Sequence, residues 1–399
     1  MRETRKNMPF PQNHPTQVSR RSFMKTTGIG LSAAAIMAYD GPRSIARAWS
    51  MSLPQDERPM LLHNNENPLG PGDRVQAAMN RALEGGRGGR YPGGVDLRGA
   101  IARAEGIPAE NVMIGNGSTQ LLRTCTKVFT SSTKPLVTGA PSYEECTQYA
   151  QLIGSPVVEV PLDADMMLDL NAMADASRGA GMVFLNNPNN PTGTLHTADA
   201  VGAFIERLRR ESPDTMIVVD EAYHDYVTDP RHQTQIPRAT SDTHVIVART
   251  FSKAHGMAGM RIGWAVAHPD AISKMRAWHY GLSLNIPSLL GAETSIQDKG
   301  RVEEEADRNT EARAYTIDWF NRHGMGATDS QCNFIFANTG MNARGFREGC
   351  AARNIVVGRD FPPYQDGWAR ISISTIDDMR RATRAFAEVL GVSAEAAAA

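Results

Sequence analysis

The sequence has little of what marks several other classes of protein. Its 399 residues include four cysteines, Cys125, Cys146, Cys332 and Cys350, which lie too far apart to match the spacing of a zinc site. Beyond the N-terminal segment, no stretch approaches the roughly 20 apolar residues of a membrane span. We therefore expect no metal site and no stable membrane span. We also expect buried free thiols, with a disulfide as the alternative in an oxidising compartment.

The sequence also lacks an excess of charge of one sign. Its formal net charge is -1, but residues 1–48 hold eight Lys/Arg and two Asp/Glu, which leaves 34 basic and 41 acidic residues, or -7, in the remainder. A net-acidic body gives no electrostatic reason to expect nucleic-acid binding. With 41% hydrophobic and 21% charged residues, the composition is that of a folded globular protein.

The basic residues are concentrated in an N-terminal segment. It contains Ser19-Arg20-Arg21-Ser22-Phe23-Met24-Lys25, then a short apolar run over residues 26–38, then Ala46-Arg47-Ala48. A charged region, a short apolar region and a small-x-small site in this order are typical of an export signal carrying a twin arginine. We predict a signal peptide over residues 1–48, export by the twin-arginine machinery and a periplasmic or secreted location. A disordered basic tail or an uncleaved membrane anchor is the alternative.

The middle of the chain alternates between short β-rich runs and helix-like stretches such as residues 198–210. This alternation predicts an α/β fold with a mostly parallel seven-stranded sheet covered by helices, formed by a large domain over residues 85–290. A long amphipathic helix over 301–323 and a strand, helix, strand, helix succession predict a small α+β domain over 291–399. Residues 49–84 are expected to form an arm and part of the small domain. The seven runs are 112–115, 136–139, 156–160, 182–185, 216–220, 244–248 and 262–267.

One stretch places a lysine in a turn rich in small residues. It runs from Arg249 through Thr250, Ser252 and Lys253 to Arg261. A lysine amine forms a Schiff base with an aldehyde, and small residues let a flat molecule approach the backbone. Lys253 is therefore a candidate covalent anchor, with a solvated surface lysine as the alternative.

Polar residues follow three of the predicted strands. Asp220 ends an apolar strand, where an acid faces a ligand site at the sheet edge or caps a helix. Asn190 lies in a turn rich in Asn and Pro, which is a structural turn or presents an amide to a ligand. The stretch from Gly115 to Gln120 opens a helix whose N-terminus suits a phosphate, with Ser118 or Thr119 as cap and ligand.

Together these segments resemble a known family. Ser252-Lys253 followed by Arg261, the Asn190-Pro191-Thr192-Gly193 turn, Asp220-Glu221-Ala222-Tyr223 and Asn64-Asn65-Glu66-Asn67-Pro68-Leu69-Gly70 occur in the order found in class I/II aminotransferases. These enzymes have fold type I and use pyridoxal phosphate, and the resemblance is greatest to the histidinol-phosphate aminotransferases. It covers about residues 60 to 390, and the motifs are specific only in combination.

The resemblance implies a role for each residue around the cofactor ring. Lys253 would carry the internal aldimine and then move the proton at the substrate α-carbon. Asp220 would pair with the protonated pyridine nitrogen, which keeps the ring able to accept electrons. Asn190 and Tyr223 would hydrogen-bond the phenolate oxygen. Tyr143 would stack on the ring, with a core aromatic as the alternative.

The resemblance also implies how the cofactor phosphate is held. Residues on both sides of it would contribute, and Arg261 would supply the countercharge. Tyr91 matches a family tyrosine that reaches the phosphate from the neighbouring subunit, which implies a homodimer with a shared active site. A turn tyrosine and a surface salt bridge are the structural alternatives for Tyr91 and Arg261. The remaining phosphate ligands would be Gly117, Ser118, Thr119, Thr250 and Ser252.

On the substrate side, Arg370 resembles the family arginine that grips the α-carboxylate of amino and keto acids. Asn65 and Arg359 are further candidate substrate contacts. Arg359 lies where the histidinol-phosphate enzymes use basic residues for the substrate phosphate. Here the stretch from 357 to 368 is largely aromatic and proline-rich, which favours an apolar side-chain pocket and disfavours histidinol phosphate as substrate.

The expected activity is transfer of an amino group between an L-amino acid and a 2-oxo acid through pyridoxamine phosphate. Decarboxylation or β-elimination on the same scaffold is the nearest alternative. A ligand-binding homologue without turnover is a third.

Overall fold

The computed structural model describes residues 58–279 and 284–393. Its strands are β1 (Met60–Leu62), β2 (Val112–Gly115), β3 (Leu136–Ala140), β4 (Val157–Pro161), β5 (Met182–Asn186), β6 (Met216–Asp220), β7 (Val245–Thr250), β8 (Gly263–Ala267), β9 (Phe334–Asn338), β10 (Ile355–Val357) and β11 (Trp368–Ser372). The predicted signal segment lies outside the described residues, so its export and cleavage stay predictions.

Seven of these strands form one sheet in the order β2-β8-β7-β6-β5-β3-β4. Strand β8 runs antiparallel to β2 and β7, and the other neighbouring pairs are parallel. All side chains of β5, β6 and β7 are buried, as expected for parallel strands covered on both faces. The predicted mostly parallel seven-stranded sheet is confirmed, and each predicted run overlaps its strand.

Twelve α-helices are found among the described residues: α1 (Asp73–Leu83), α2 (Leu97–Glu105), α3 (Gly117–Phe129), α4 (Glu145–Leu152), α5 (Leu170–Ala176), α6 (Ala198–Glu211), α7 (Ile236–Ser241), α8 (Pro269–Arg276), α9 (Ile286–Gln297), α10 (Lys299–Arg322), α11 (Ala343–Ala351) and α12 (Ile376–Leu390). Several begin at a side-chain cap: Asp96, Asp169, Thr197, Asn285 and Thr375 each accept a backbone N–H of the first turn. No helix of the described part is both long and apolar enough to cross a membrane.

A smaller region is built on two two-stranded sheets. Strands β9 and β11 pair antiparallel, while β1 pairs parallel with β10. Helices α10, α11 and α12 cover them around a separate core that includes Trp319, Phe320 and Phe386. The sequence predicted an arm near residue 60 but neither β1 nor β10, because three consecutive apolar residues carry no alternation that marks a strand. The domain boundaries drawn from the sequence stay predictions.

The four cysteines are all buried and free, which is the arrangement the sequence favoured.

Candidate active site

The candidate site lies where strands β5, β6 and β7 end. Asn186, Asp220 and Ala248 are register neighbours on these three strands, so the segments that follow them start side by side. Asp220 is the last residue of β6, and Lys253 comes three residues after β7 ends. Ligands of open α/β sheets bind at this edge, beyond the carboxyl ends of the strands.

The amine of Lys253 points into the cleft. Its Nζ donates to the carbonyl oxygens of Asn64 at 3.1 Å and Asn65 at 3.0 Å, and it lies 5.5 Å from the centroid of the Tyr223 ring. Burial lowers the pKa of Lys253 to about 8, assisted by the charges of Arg370 and Arg261. A lysine with these contacts is not the solvated surface residue considered as its alternative.

The turn that carries Lys253 packs closely on the segment before α1. Gly256 has a positive φ of 68°, and a Cβ added there would lie 2.1 Å from the carbonyl oxygen of Gly70. From the same segment, Asn67 donates through Nδ2 to the carbonyl oxygen of Ala254 at 3.0 Å. Only glycine allows this approach at position 256, so Gly256 serves packing between two chain segments, whereas a Cβ at Gly259 would meet nothing within 4 Å.

Asp220 is a buried carboxylate without a neighbouring arginine. Burial raises the pKa of Asp220 to about 7, although the backbone N–H of Ala222 and the charge of Lys253 act in the opposite direction. Asp220 Oδ1 accepts the Ala222 N–H in a tight turn and does not cap a helix. A cation next to this carboxylate would be strongly favoured, since it would keep the group ionised.

A hydrogen-bonded chain links the amine to Arg370. The Tyr223 hydroxyl accepts from Nδ2 of Asn65 at 3.1 Å and from Nδ2 of Asn190 at 3.4 Å. Asn190 Oδ1 in turn accepts from Nη1 of Arg370 at 2.7 Å, and Arg370 Nη2 donates to the carbonyl oxygen of His63 at 2.6 Å. Because the Tyr223 oxygen already accepts two amide N–H groups, its own hydrogen is directed elsewhere.

Asn65 organises the site from within the protein. It is buried with a φ of 55°, and its backbone N–H and its Oδ1 both contact the hydroxyl of Ser372, at 2.8 and 2.9 Å. Its carbonyl oxygen accepts from Lys253 and from Nδ2 of Asn333 at 2.9 Å. The substrate contact expected of Asn65 from the sequence stays a prediction.

The start of α3 forms an anion cradle with Arg261. Gly117 opens the helix with a φ of 73°, and a Cβ there would lie 2.6 Å from Nη2 of Arg261. Ser118 and Thr119 follow in the first helical turn, whose N–H groups have no intrahelical acceptor. On the other side Arg261 Nη1 donates to Ser252 Oγ at 3.4 Å. The Thr250 hydroxyl accepts the Ser252 N–H at 3.1 Å.

Two aromatic residues of the prediction lie in different surroundings. Tyr143 packs next to the core beside α3, and burial raises its pKa to about 12. Thr119 is a hydrogen-bond partner of its hydroxyl. Tyr91 is 86% exposed on the surface of the single chain and is not brought to the cleft by the fold of that chain.

Arg359 is held at the cleft mouth. Its guanidinium lies 4.2 Å from the centroid of Phe361 and pairs with Glu144 at 2.8 Å. The three aromatic residues expected to line a pocket, Phe361, Tyr364 and Trp368, all pack around Phe336 on β9, and the pocket stays a prediction. Of the three aromatic residues, Phe361 is the one that contacts Arg370, at 4.9 Å.

Sequence reasoning missed several residues of the site. Ser372 lies two residues after Arg370 on β11, so strand alternation puts both on one face and offered a usable signal. Asn333, Glu144 and the backbone carbonyl of His63 had no such signal, because their roles depend on contacts between distant parts of the chain.

Comparison with known proteins agrees with this geometry. A model of the family "aminotransferase class I and II" matches residues 57–386. The chain is 33% identical to the histidinol-phosphate aminotransferase of Symbiobacterium thermophilum over 333 residues, covering 83% of this chain and 90% of the relative. It is 31% identical to that of Moorella thermoacetica, covering 82% and 85%.

Solved structures agree as well. A putative histidinol-phosphate aminotransferase from Erwinia carotovora atroseptica superposes with a TM-score of 0.78 at 29% identity, covering 84% of this chain and 97% of that one. The Sinorhizobium meliloti histidinol-phosphate aminotransferase in complex with pyridoxal-5'-phosphate superposes with a TM-score of 0.77 at 26% identity, covering 84% and 92%. The chain belongs to the aminotransferase class I and II family. It is a pyridoxal-phosphate-dependent transaminase of fold type I.

The residues present fit the cofactor. The α3 cradle, closed by Arg261, offers free N–H groups and a positive charge to the phosphate. The buried Asp220, whose pKa burial raises, would be satisfied by a protonated pyridine nitrogen. The hydrogen that Tyr223 has left to donate suits the phenolate oxygen. Transaminases of this family bind amino and keto acids and are typically dimers.

Proposed function

We propose that the protein transfers the amino group of an L-amino acid to a 2-oxo acid, with Lys253 as covalent anchor and proton carrier. The observation that carries the proposal is the hydrogen-bonded chain from Lys253 through Asn65, Tyr223 and Asn190 to Arg370. It places a reactive amine and a carboxylate-binding guanidinium on one network. Substrate would therefore be held with its α-carbon close to the amine.

When bound, pyridoxal phosphate supplies an aldehyde that condenses with amines and a ring that accepts electrons. The chain's own part begins with the lowered pKa of Lys253, about 8, which leaves a larger unprotonated fraction near neutral pH than an ordinary lysine has. The unprotonated Nζ could therefore take a proton from the substrate α-carbon and release it again within the site.

Asp220 and Tyr223 would set the charge of the ring. The ionised Asp220 carboxylate would favour a protonated ring nitrogen through a charge-assisted hydrogen bond. The Tyr223 hydroxyl hydrogen would be available to the phenolate oxygen, while Asn65 and Asn190 fix the tyrosine oxygen in place. Both residues would thus favour a ring that can accept electrons.

Arg370 would grip the α-carboxylate. Its planar guanidinium is oriented by Asn190 Oδ1 and the His63 carbonyl, so a two-pronged contact needs little rearrangement. Amino acids and 2-oxo acids share this carboxylate. One arginine can therefore serve both halves of the exchange.

The test is a panel of amino acids assayed with the purified full chain, with and without a 2-oxo acid acceptor. We expect amino transfer that requires both partners, and a loss of at least about a thousand-fold in Lys253→Ala. Lys274→Ala, an exposed lysine on α8, is the matched control. Products formed without acceptor would instead indicate decarboxylation or β-elimination. Undiminished turnover in Lys253→Ala would overturn the proposal.

We propose further that two chains share the site through Tyr91. Its 86% exposure in the single chain leaves the ring and hydroxyl accessible to a partner chain. We expect a dimer by sedimentation and about a tenfold weaker cofactor affinity in Tyr91→Phe. A monomeric active enzyme contradicts this.

Export by the twin-arginine route is also proposed, on the Arg20-Arg21 motif and the apolar run after it. Fusion of residues 1–48 to a folded reporter should direct the reporter out of the cytoplasm. Replacing both arginines by lysine should keep the reporter in the cytoplasm. Export that survives this double substitution counts against the route.

A further inference from the structure

An ion pair joins the two sides of the cleft mouth. Nη2 of Arg359, which follows β10, lies 2.8 Å from Oε2 of Glu144, which follows β3. The Glu144 carboxylate also accepts from Nε2 of Gln148 at 3.1 Å. Tyr143, the candidate ring-stacking residue, is the immediate neighbour of Glu144. The pair therefore lies beside the candidate ring-stacking residue and is partly exposed.

Arg359 is separated from Arg370 by one aromatic ring. The guanidinium of Arg359 lies 4.2 Å from the Phe361 centroid, and that of Arg370 lies 4.9 Å from the same centroid. A substrate whose α-carboxylate is held by Arg370 could thus extend its side chain toward Arg359. Arg359 is the residue that a second anionic group of the substrate would meet.

The nearby carboxylates differ in which arginine they neutralise. Asp360 pairs with Arg347 at 2.7 Å, and Glu145 pairs with Arg123. Glu144 is the acid whose ion pair is with Arg359. An anion approaching Arg359 must displace this carboxylate or lie against it, and like charges in contact repel.

We propose that Glu144 is a specificity-determining residue, which neutralises Arg359 and excludes amino acids that carry a second anionic group. This rests on the proposed transamination and adds its substrate class, amino acids with uncharged side chains. Phe361 lies between the two arginines and, at 2% exposure, packs its ring against their guanidiniums. Glu144 acts through Arg359 and through repulsion, and takes no part in proton transfer.

The test compares donors in the first half-reaction, followed by the change in cofactor absorbance without an acceptor. L-Leucine and L-phenylalanine represent uncharged side chains, and L-aspartate and L-glutamate anionic ones. We expect Glu144→Gln to raise the anionic-to-uncharged ratio of rate constants about tenfold, because it frees a charged donor for the second carboxylate. The gain should shrink in 0.5 M NaCl, since the pair is partly exposed.

Glu145→Gln is the matched control, because it removes a neighbouring carboxylate that pairs with a different arginine. The double variant Glu144→Gln/Arg359→Gln should show no rise in the anionic-to-uncharged ratio. A merely structural role of Glu144 would not make the rise depend on Arg359. Inorganic phosphate should also inhibit Glu144→Gln more strongly than wild type. An unchanged ratio in Glu144→Gln, or a gain that persists without Arg359, overturns the role of Glu144. Failure of every donor in wild type overturns the transamination proposal as well.

Discussion

Two arginine–glutamate pairs of nearly equal length each include a glutamate that is the chain neighbour of a candidate site residue, Asp220 or Tyr143. Arg249 and Glu221 are 2.9 Å apart behind the sheet edge, with side-chain exposures of 8% and 1%. Arg359 and Glu144 are 2.8 Å apart at the mouth, with exposures of 24% and 40%. Distance alone does not distinguish the pairs, but their access to water does.

The buried pair is fixed by further hydrogen bonds. Burial alone would raise the pKa of Glu221, yet the charge of Arg249 and its other partners lower it. Those partners are the Thr234 hydroxyl and the Gln235 N–H, each at 2.7 Å. The mouth pair has water as an alternative partner on both sides, so it can open at little cost. The first pair belongs to the framework, and the second can respond to substrate.

The largest effect is expected from breaking the buried pair. Glu221→Gln removes the nearest counterion of the buried Arg249, leaves Glu105 as a more distant one at 3.7 Å, and should lower the free energy of unfolding by about 3–5 kcal/mol. Urea denaturation measures this. Glu206→Gln, which breaks the exposed pair with Arg238, is the control and should leave the midpoint unchanged. Equal effects of the two variants would contradict the distinction drawn from burial.

A buried carboxylate without an arginine should behave in the opposite way. The pKa of Asp220, about 7, lies above its ordinary value, so the unfolded chain ionises first as the pH rises and stability is lost between about pH 4 and 7. In cofactor-free protein, the free energy of unfolding of Asp220→Asn should equal that of wild type near pH 4. At pH 8 it should exceed the wild-type value by up to about 4 kcal/mol. Unfolding midpoints across this range measure it, and bound cofactor should abolish the advantage.

The substitution Arg370→Lys tests the proposed contact with the substrate α-carboxylate. It keeps the charge but removes the fork that binds a carboxylate at two points, so kcat/KM should fall about 10- to 100-fold. The loss should be alike for uncharged and anionic donors, unlike the selective effect expected at Glu144. Steady-state kinetics with both donor types checks this, and a loss confined to anionic donors would reassign the α-carboxylate contact.

The smallest effect is expected at the mouth. Glu144→Gln should change the free energy of unfolding by less than about 1 kcal/mol, since both partners are partly exposed. The difference should diminish further in 0.5 M NaCl. A loss as large as that expected for Glu221→Gln would make the mouth pair part of the framework and remove the basis for its opening.

Much of the fold followed from local patterns. The apolar strands ending at Asp220 and Asn186 are recognisable because each is a continuous buried run closed by a polar residue. Helix α6 was recognisable from its periodicity and its cap at Thr197. Strands β1 and β10 were missed, since three residues cannot show a period and their pairing joins distant parts of the chain.

The same distinction between local patterns and contacts across distant parts of the chain applies to the site. Lys253, Asp220 and Arg370 were identified because each stands in a short motif with a chemical purpose. The contacts of Asn65 with Tyr223 and Ser372 and the pairing of Glu144 with Arg359 could not be predicted, because nothing local to either sequence position specifies the partner. The apolar pocket expected from the aromatic stretch stays a prediction, since Phe361, Tyr364 and Trp368 all pack around Phe336.

The contact of Asn65 with Ser372 spans 307 positions of the chain. During synthesis, Lys253 and Asp220 are therefore added to the chain well before Ser372, the residue that anchors Asn65. A nascent chain can therefore contain Lys253 and Asp220 while Tyr223 is not yet fixed by Asn65 and Arg370 has not yet been added. We expect a chain truncated just before residue 368 to retain much of the seven-stranded sheet yet bind the cofactor poorly. Tight cofactor binding would then require the last strand, β11.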